Sequence, residues 1–157
     1  MSEIPASPSR FFAQAEEMMA RSARLEQIHE RVQELRAEAT SPRGAVIVSL
    51  RHDGLLADVV FSSAATRLSG QSLAGEVRRA HTRALELLLE QVESVAVEGL
   101  GEHDEAFLPS LLQPYRDAVT RAQSDAGVSL GNDAFSRPAN TGHSGTYSSG
   151  MAPGSRE

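Results

Sequence analysis

A compact β-hairpin between two long helical stretches constrains the fold of this chain more than any other feature. Residues 45–51 and 55–61 alternate as strands do, and His52-Asp53-Gly54 separates them. Asp-Gly is a strong hairpin signal, because a type I′ turn needs positive φ at both central residues. A two-stranded ribbon is at best marginally stable alone in water, so helices or further strands must cover it.

Placing Asp53 and Gly54 at the centre of the turn fixes the expected register. The pairs on one face are then Val46 with Phe61, Val48 with Val59, and Leu50 with Ala57. Side chains alternate across a strand, so these six share one wholly apolar face. The opposite face, which pairs Ser49 with Asp58 and Ile47 with Val60, is mixed. We expect the apolar face to pack on a helix and the mixed face to be partly wet or at an interface.

The first helix is predicted from about residue 8 to 36 or 39, with Ser7 as its N-cap and Pro8 in its first turn. Its apolar seam has the 3-4-3 spacing of a coiled coil. The seam consists of Leu25, Ile28, Val32 and Leu35. A helix of roughly 42 Å is longer than a ribbon can cover, so the seam is a candidate dimer interface.

The second helix is predicted to begin at Ser69 or Ser72 and to run to about Val97, with a buried apolar face. A short third strand is expected over residues 37–41. Residues 98–126 read as a weak helical extension divided by Pro109 and Pro114. Residues 1–7 form an N-terminal tail, and residues 127–157, rich in Gly, Ser and Asn, read as disordered. The expected fold class is α+β, with residues 8–97 as an α-β-α domain.

Composition excludes several classes of protein. The chain has no cysteine, so it has neither a disulfide framework nor a thiolate metal site. No stretch approaches the roughly 18–20 apolar residues of a membrane span, and we expect a cytoplasmic location. All 15 basic residues are Arg and the net charge is −6. Residues 8–97 are almost neutral, with 11 Arg and 12 acidic residues, so the negative charge lies mainly in the last 60 residues.

Catalytic and cofactor motifs are missing from the sequence. The five histidines form no H-x-x-x-H pair, and neither a P-loop nor a complete G-x-G-x-x-G is present. Adjacent carboxylates such as Glu16 and Glu17 fall on an exposed helix face. We therefore predict no enzyme, no cofactor and no metal site.

The order of helix, hairpin, polar linker and Leu/Ala-rich helix resembles the YbaB/EbfC nucleoid-associated family of bacteria. The resemblance covers about residues 10–97. It is carried by Arg43-Gly-Ala-Val-Ile-Val-Ser-Leu-Arg-His-Asp-Gly-Leu-Leu-Ala-Asp-Val-Val-Phe61 and by Ser72-Leu-Ala-Gly-Glu-Val-Arg-Arg-Ala-His-Thr-Arg-Ala84. It implies an α-β-α homodimer whose sheets join and whose long helices project. It also implies binding to DNA, within the nucleoid, with little sequence preference.

Arginine clusters are the candidate DNA-binding residues, because nonspecific binding needs several cations placed along phosphates. The candidates are Arg21, Arg24, Arg31, Arg43, Arg51, Arg78, Arg79 and Arg83. The competing interpretation is a solvated face of local ion pairs at helical spacing. Such spacing joins Glu17 to Arg21, Arg31 to Glu34, Glu76 to Arg79, and Arg83 to Glu86.

The alternative function is a non-enzymatic protein-interaction adaptor with no DNA role. The near-neutral core and the acidic C-terminal part favour it. Its protein partner would bind through residues 104–122, whose apolar side chains follow helical spacing, and through the tail. Some relatives in the family that the chain resembles are linked to type VII secretion, which makes secretion a possible context.

Overall fold

The computed structural model describes residues 8–101 and 104–127, with side chains described through residue 125. The elements in chain order are α1 (Pro8–Gln33), β1 (Arg36–Thr40), β2 (Val46–Arg51), β3 (Leu56–Phe61), α2 (Gly70–Leu100) and α3 (Leu108–Gly127). Short 3-10 helices cover Ser63–Arg67 and Glu105–Phe107. The fold is therefore α+β. The predicted tail over residues 1–7, with its cap Ser7, and residues 128–157 of the predicted disordered tail lie outside the described residues.

The sheet is antiparallel with strand order β1-β2-β3, so the expected third strand is present. It pairs with β2 from Arg36 opposite Arg51 to Thr40 opposite Ile47. Strand β1 begins three residues after the end of α1, at the position where the helix had been expected to continue. The sheet therefore has two edges, the polar strand β1 and the apolar strand β3.

The hairpin register is as expected away from the turn and differs beside it. Val46 faces Phe61 and Val48 faces Val59, but Leu50 faces Leu56, so the predicted pairing with Ala57 is wrong. The Arg51 N–H donates to the Leu55 carbonyl at 2.9 Å, which leaves a three-residue loop ending at Gly54 with φ of 79°. A three-residue loop with a left-handed glycine is another common hairpin connection, and here Ala57 becomes the extra residue of a bulge.

Helix α2 packs across β1 and β2 and buries one face of the sheet. Val46, Val48 and Leu50 are fully buried there against the small residues Ala80 and Ala84. The expectation that Ala57 and Phe61 would join this buried face is wrong, since both are exposed. Strand β3 extends past the helix that covers its neighbours, and of its residues Val59 alone is half-buried.

A second apolar cluster lies among the three helices. The C-terminal half of α1 contributes Ile28 and Val32, α2 contributes Leu88 and Val92, and α3 contributes Leu112. Helix α2 begins at the predicted cap Ser69, whose hydroxyl accepts from the Ser72 N–H at 3.2 Å. The segment read as a weak extension is a helix of 20 residues that contains Pro114. Packing of its buried side chains stabilises a helix that an interior proline alone would disfavour.

Candidate functional site

Two arginines of α1 converge on one buried carboxylate. Arg21 Nε and Arg24 Nη2 donate to Asp104 at 2.8 and 2.7 Å, and the Asp104 side chain is 1% exposed. These bonds, led by that from Arg24, hold the pKa of Asp104 below its usual value. The Arg21 guanidinium also lies over the Phe107 ring, 5.0 Å from its centre. The pair therefore fastens the segment that begins α3 onto α1.

The third candidate arginine of α1 also binds across helices. Arg31 donates to Glu98 of α2 at 2.8 Å instead of pairing with Glu34, the partner expected from spacing. Both side chains are more than half exposed, and the bond lowers the pKa of Glu98. Exposed ion pairs of this kind contribute little stability, on the order of 0–1 kcal/mol. Arg31 nevertheless has a carboxylate within reach that a phosphate would have to displace.

The arginines of α2 form the local pairs that their spacing predicted. Arg79 binds Glu76, and Arg83 binds Glu86 at 3.1 Å with Glu90 at 3.9 Å. Glu17 and Arg21 are also paired as expected, at 4.0 Å. Arg78, by contrast, has no ion-pair partner in the described part of the chain.

The two candidate arginines around the hairpin have different surroundings. Arg51 pairs with Asp53 at 2.7 Å, next to the turn. The Arg43 backbone N–H donates to Glu76 at 3.0 Å, while its side chain has no acidic partner among the described residues. Within that part of the chain, six of the eight candidate arginines are therefore held by carboxylates.

The arginines do not lie together. Arg31 meets Glu98 near the end of α2, whereas Arg79 and Arg83 lie near its beginning. At 1.5 Å per residue, the two groups are on the order of 20–30 Å apart along the helix. Each group also brings its own acidic residues, so the electrostatic surface alternates in sign over short distances.

The apolar seam of α1 that was a candidate dimer interface lies inside the chain. Ile28 and Val32 are buried against α2 and α3, and Leu25 and Leu35 are half-buried at the margin of the same cluster. A groove of about 250 Å³ remains beside it, lined by Leu25, Ile28, His29, Val32, Val92, Leu111 and Tyr115. Partial burial raises the pKa of the Tyr115 hydroxyl. The seam is therefore covered by intrachain packing.

The candidate partner-binding segment, residues 104–122, is likewise occupied within the chain. Leu112 is fully buried among the helices, and Val119 belongs to the apolar cluster that includes residues of the sheet and of α2. The segment's remaining exposed aromatic, Phe107, is stacked by Arg21. Most of its apolar side chains serve the core, which leaves little of it to bind a second protein.

Sequence reasoning missed the surfaces that do remain apolar and exposed. On β3 and the loop before it these are Leu55, Leu56, Val60 and Phe61. At the start of α1 they are Phe11, Phe12, Met18 and Met19. The exposure of β3 could have been expected from the sequence, since both faces of this strand carry large apolar residues. One helix covers about two strands, and α2 covers β1 and β2, which leaves β3 uncovered.

The described residues offer no group of three or more His, Asp and Glu side chains placed to hold a metal ion. None of the helices in residues 8–101 and 104–127 combines the length and apolar content needed to span a bilayer. What the described surface offers chemically is ion pairs and apolar contact area.

No family model, curated protein or solved structure matches this chain. The YbaB/EbfC resemblance therefore stays a prediction from the sequence pattern.

Proposed function

We propose that this protein is a non-enzymatic protein-interaction module that forms a homodimer through the outer edge of β3. The observation that carries the proposal is the exposed apolar character of that edge. Leu56, Val60 and Phe61 are each 47–54% exposed on a strand whose other edge is paired with β2. An exposed apolar edge strand is a ready template for pairing with another chain.

The backbone of β3 supports pairing with another strand. The Ser62 N–H donates across the sheet to the Ala45 carbonyl, and inward and outward N–H groups alternate along a strand, so the Val59 N–H lies on the outer edge. It donates there to the carboxylate of its neighbour Asp58 at 2.8 Å. This local bond stands in for an interstrand partner. The bulge at Ala57 interrupts the strand, so residues 58–61 are the segment that would extend the sheet, with the local Asp58 bond exchanged for an interstrand one.

The half-covered sheet face also supports a dimer. Phe61 lies on the same face as Val46, which is fully buried, yet no helix among residues 8–101 and 104–127 covers it. A second copy paired at β3 would place its own β3 and Phe61 beside this face across a two-fold axis. The family resemblance, which implies dimers with joined sheets, supports the same arrangement.

Binding to DNA, the function that the resemblance implies, has weaker support. Phosphate contacts release counterions when arginines are free to reach them. Here six candidate arginines already bind carboxylates, and Arg43 and Arg78 are left without an ion pair in the described residues. We place the protein-interaction role first for this reason. A link to type VII secretion stays a prediction of the resemblance.

A charge placed on the β3 edge tests the proposed dimer. In the full-length chain, Val60→Lys introduces a cation on an exposed strand residue, where it would meet its own copy near the two-fold axis. Light scattering after gel filtration at micromolar concentration should show the association weakened, with the mass falling toward that of the species lacking this interface.

Thr40→Lys is the matched control, because Thr40 is an exposed β-branched residue on the opposite edge, β1. We expect it to leave the mass unchanged, and circular dichroism should confirm that both variants fold. An unchanged mass for Val60→Lys, at concentrations where the parent protein associates, would show that β3 is not the interface.

A further inference from the structure

The N-terminal half of α1 stands clear of the rest of the described chain. From residue 8 to residue 20 every side chain is exposed except Ala15, which is half-buried. Phe11, Phe12, Met18 and Met19 are 65–74% exposed. Four large apolar side chains on one short stretch of helix form a contiguous patch, and such patches mark interaction sites.

The apolar face of α1 changes direction along the helix. At 100° per residue, the residues centred on Ala15 point roughly 120° away from the direction of Leu25, Ile28 and Val32. The latter residues pack toward α2 and α3. The N-terminal face therefore points away from the helices that cover the C-terminal half, so these helices cannot cover it.

The sequence of this face is palindromic in its apolar positions. Phe11 and Met19 lie four residues before and after Ala15, and Phe12 and Met18 lie three residues before and after it. Residues three and four apart share one face of a helix. A two-fold axis through Ala15 would therefore set the two phenylalanines of one helix beside the two methionines of an antiparallel copy.

We infer that residues 8–20 of α1 pair, antiparallel, with the same residues of a second copy of this chain, with the two-fold axis at Ala15. The small side chain at the centre lets the helices approach closely, and each Phe meets a Met, a favourable sulfur–aromatic contact. Four such side chains offer on the order of 500 Å² per copy, or about 1,000 Å² in the pair, which reaches the lower limit for a stable interface.

Charge favours a second copy over a lipid surface as the occupant. Residues 8–23 carry two arginines, Arg10 and Arg21, and two glutamates, Glu16 and Glu17. Helices that lie on anionic membranes have a strongly basic polar face, which this segment lacks. In the pair, Glu16 lies at the rim, about 100° from the face centre, whereas Glu17 is on the far side. The two Glu16 residues of the pair therefore lie on the same side of it, with their Cβ atoms on the order of 10 Å apart.

This pairing goes beyond the β3 interface and does not depend on it. Two different two-fold interfaces on one chain would join dimers into a four-chain ring or an open chain. A charge at β3 and a change on α1 each test one interface, so the failure of one proposal does not decide the other.

A single introduced cysteine tests the α1 pair, since the natural chain contains none. In the full-length protein, Ala15→Cys brings two thiols together at the two-fold axis, within reach of a disulfide. Mild oxidation should shift the chain to a band of twice its mass on a non-reducing gel. Ala13→Cys, on the opposite side of the same helix, is the control and should stay monomeric on the gel. Equal cross-linking of both variants, or of neither, would overturn the inference.

A second pair of variants tests whether association becomes tighter, a result that misfolding would not produce. Glu16→Gln removes the like-charge repulsion between the two copies and should tighten association roughly 1.5- to 2-fold. Glu17→Gln removes the same charge from the far side and should leave association unchanged. Sedimentation equilibrium measures both, and a Glu16→Gln protein that associates no more tightly than Glu17→Gln would contradict the pairing. Ala15→Cys should still cross-link in the Val60→Lys background, which separates this interface from β3.

Discussion

The carboxylate of Glu76 joins the beginning of α2 to the β1–β2 turn. Its side chain is 1% exposed, accepts from the Arg43 N–H at 3.0 Å and binds the Arg79 guanidinium. Arg79 above all, followed by the Ser41 hydroxyl, lowers the pKa of Glu76 to about 2. Ser41 in turn accepts from the Ala45 and Val46 N–H groups, both at 3.1 Å. This buried polar cluster holds the turn in place and is structural.

Glu76→Gln should make folding stability less dependent on acid. Because the folded pKa lies below the unfolded one, ionised Glu76 stabilises the fold above about pH 4.5, and this is lost as the pH falls toward about 2. The variant should therefore unfold more easily than the parent at pH 7, with a gap that narrows toward pH 2. Urea unfolding across this range measures the gap. A gap that stays constant with pH would contradict the role of the ionised carboxylate.

Of the contacts of Glu76, the sequence predicted the pair with Arg79 but not the burial or the bond to Arg43. Spacing of three residues indicated the pair of Glu76 and Arg79 on a solvated helix face. Burial of Glu76 and its bond to Arg43, 33 positions away, arise from the tertiary packing of the turn on α2. The same limit applies to Arg21 and Arg24, whose shared partner Asp104 is 80 or more positions distant.

At the scale of elements, hydrophobic period and cap chemistry were sufficient for most of the fold. The β-hairpin, the third strand and the buried face of α2 follow from alternation and from the 3.6-residue period. The turn register did not follow, because Asp-Gly suits both a two-residue and a three-residue loop. The sequence also did not show that the α1 seam packs within the chain. A seam of the coiled-coil type can be covered by another chain or, as here, by α2 and α3.

Gly99 sets how closely α1 approaches α2. A Cβ built at Gly99 would lie 2.3 Å from Cγ1 and 2.8 Å from Cδ1 of Ile28, a side chain that is itself buried. Gly99→Ala should therefore cost about 1–3 kcal/mol of stability through overpacking, more than the gain of up to about 1 kcal/mol in helix propensity. Thermal or urea unfolding measures the change.

Gly75 provides the control on the same helix. A Cβ there meets the Arg79 guanidinium at 3.6 Å, an ordinary contact with the end of a flexible side chain. Gly75→Ala should stabilise the protein by up to about 1 kcal/mol. Stabilisation of similar size by both substitutions would show that Ile28 yields freely and that the close approach of the two helices is not required.

At the scale of the whole molecule, the distribution of charge and of exposed apolar surface supports the proposed protein contacts. Most candidate arginines bind carboxylates. The pair of Arg31 and Glu98 lies near the end of α2, whereas Arg79 and Arg83 lie nearer its beginning. The large apolar side chains left exposed lie chiefly on β3 with its preceding loop and at the start of α1. Composition anticipated the first point through the near-neutral core. The location of the exposed apolar surface could not be predicted in this way, because it depends on which strands and helices pack against one another.

One measurement tests the central claim, which is that this chain works by associating with protein rather than with DNA. The full-length chain is sedimented at micromolar concentration and physiological salt with a fluorescently labelled DNA duplex, and protein and duplex are followed separately. We predict protein at a multiple of 16.8 kDa and duplex sedimenting at its own rate. Monomeric protein, or duplex that sediments with the protein, would contradict the account.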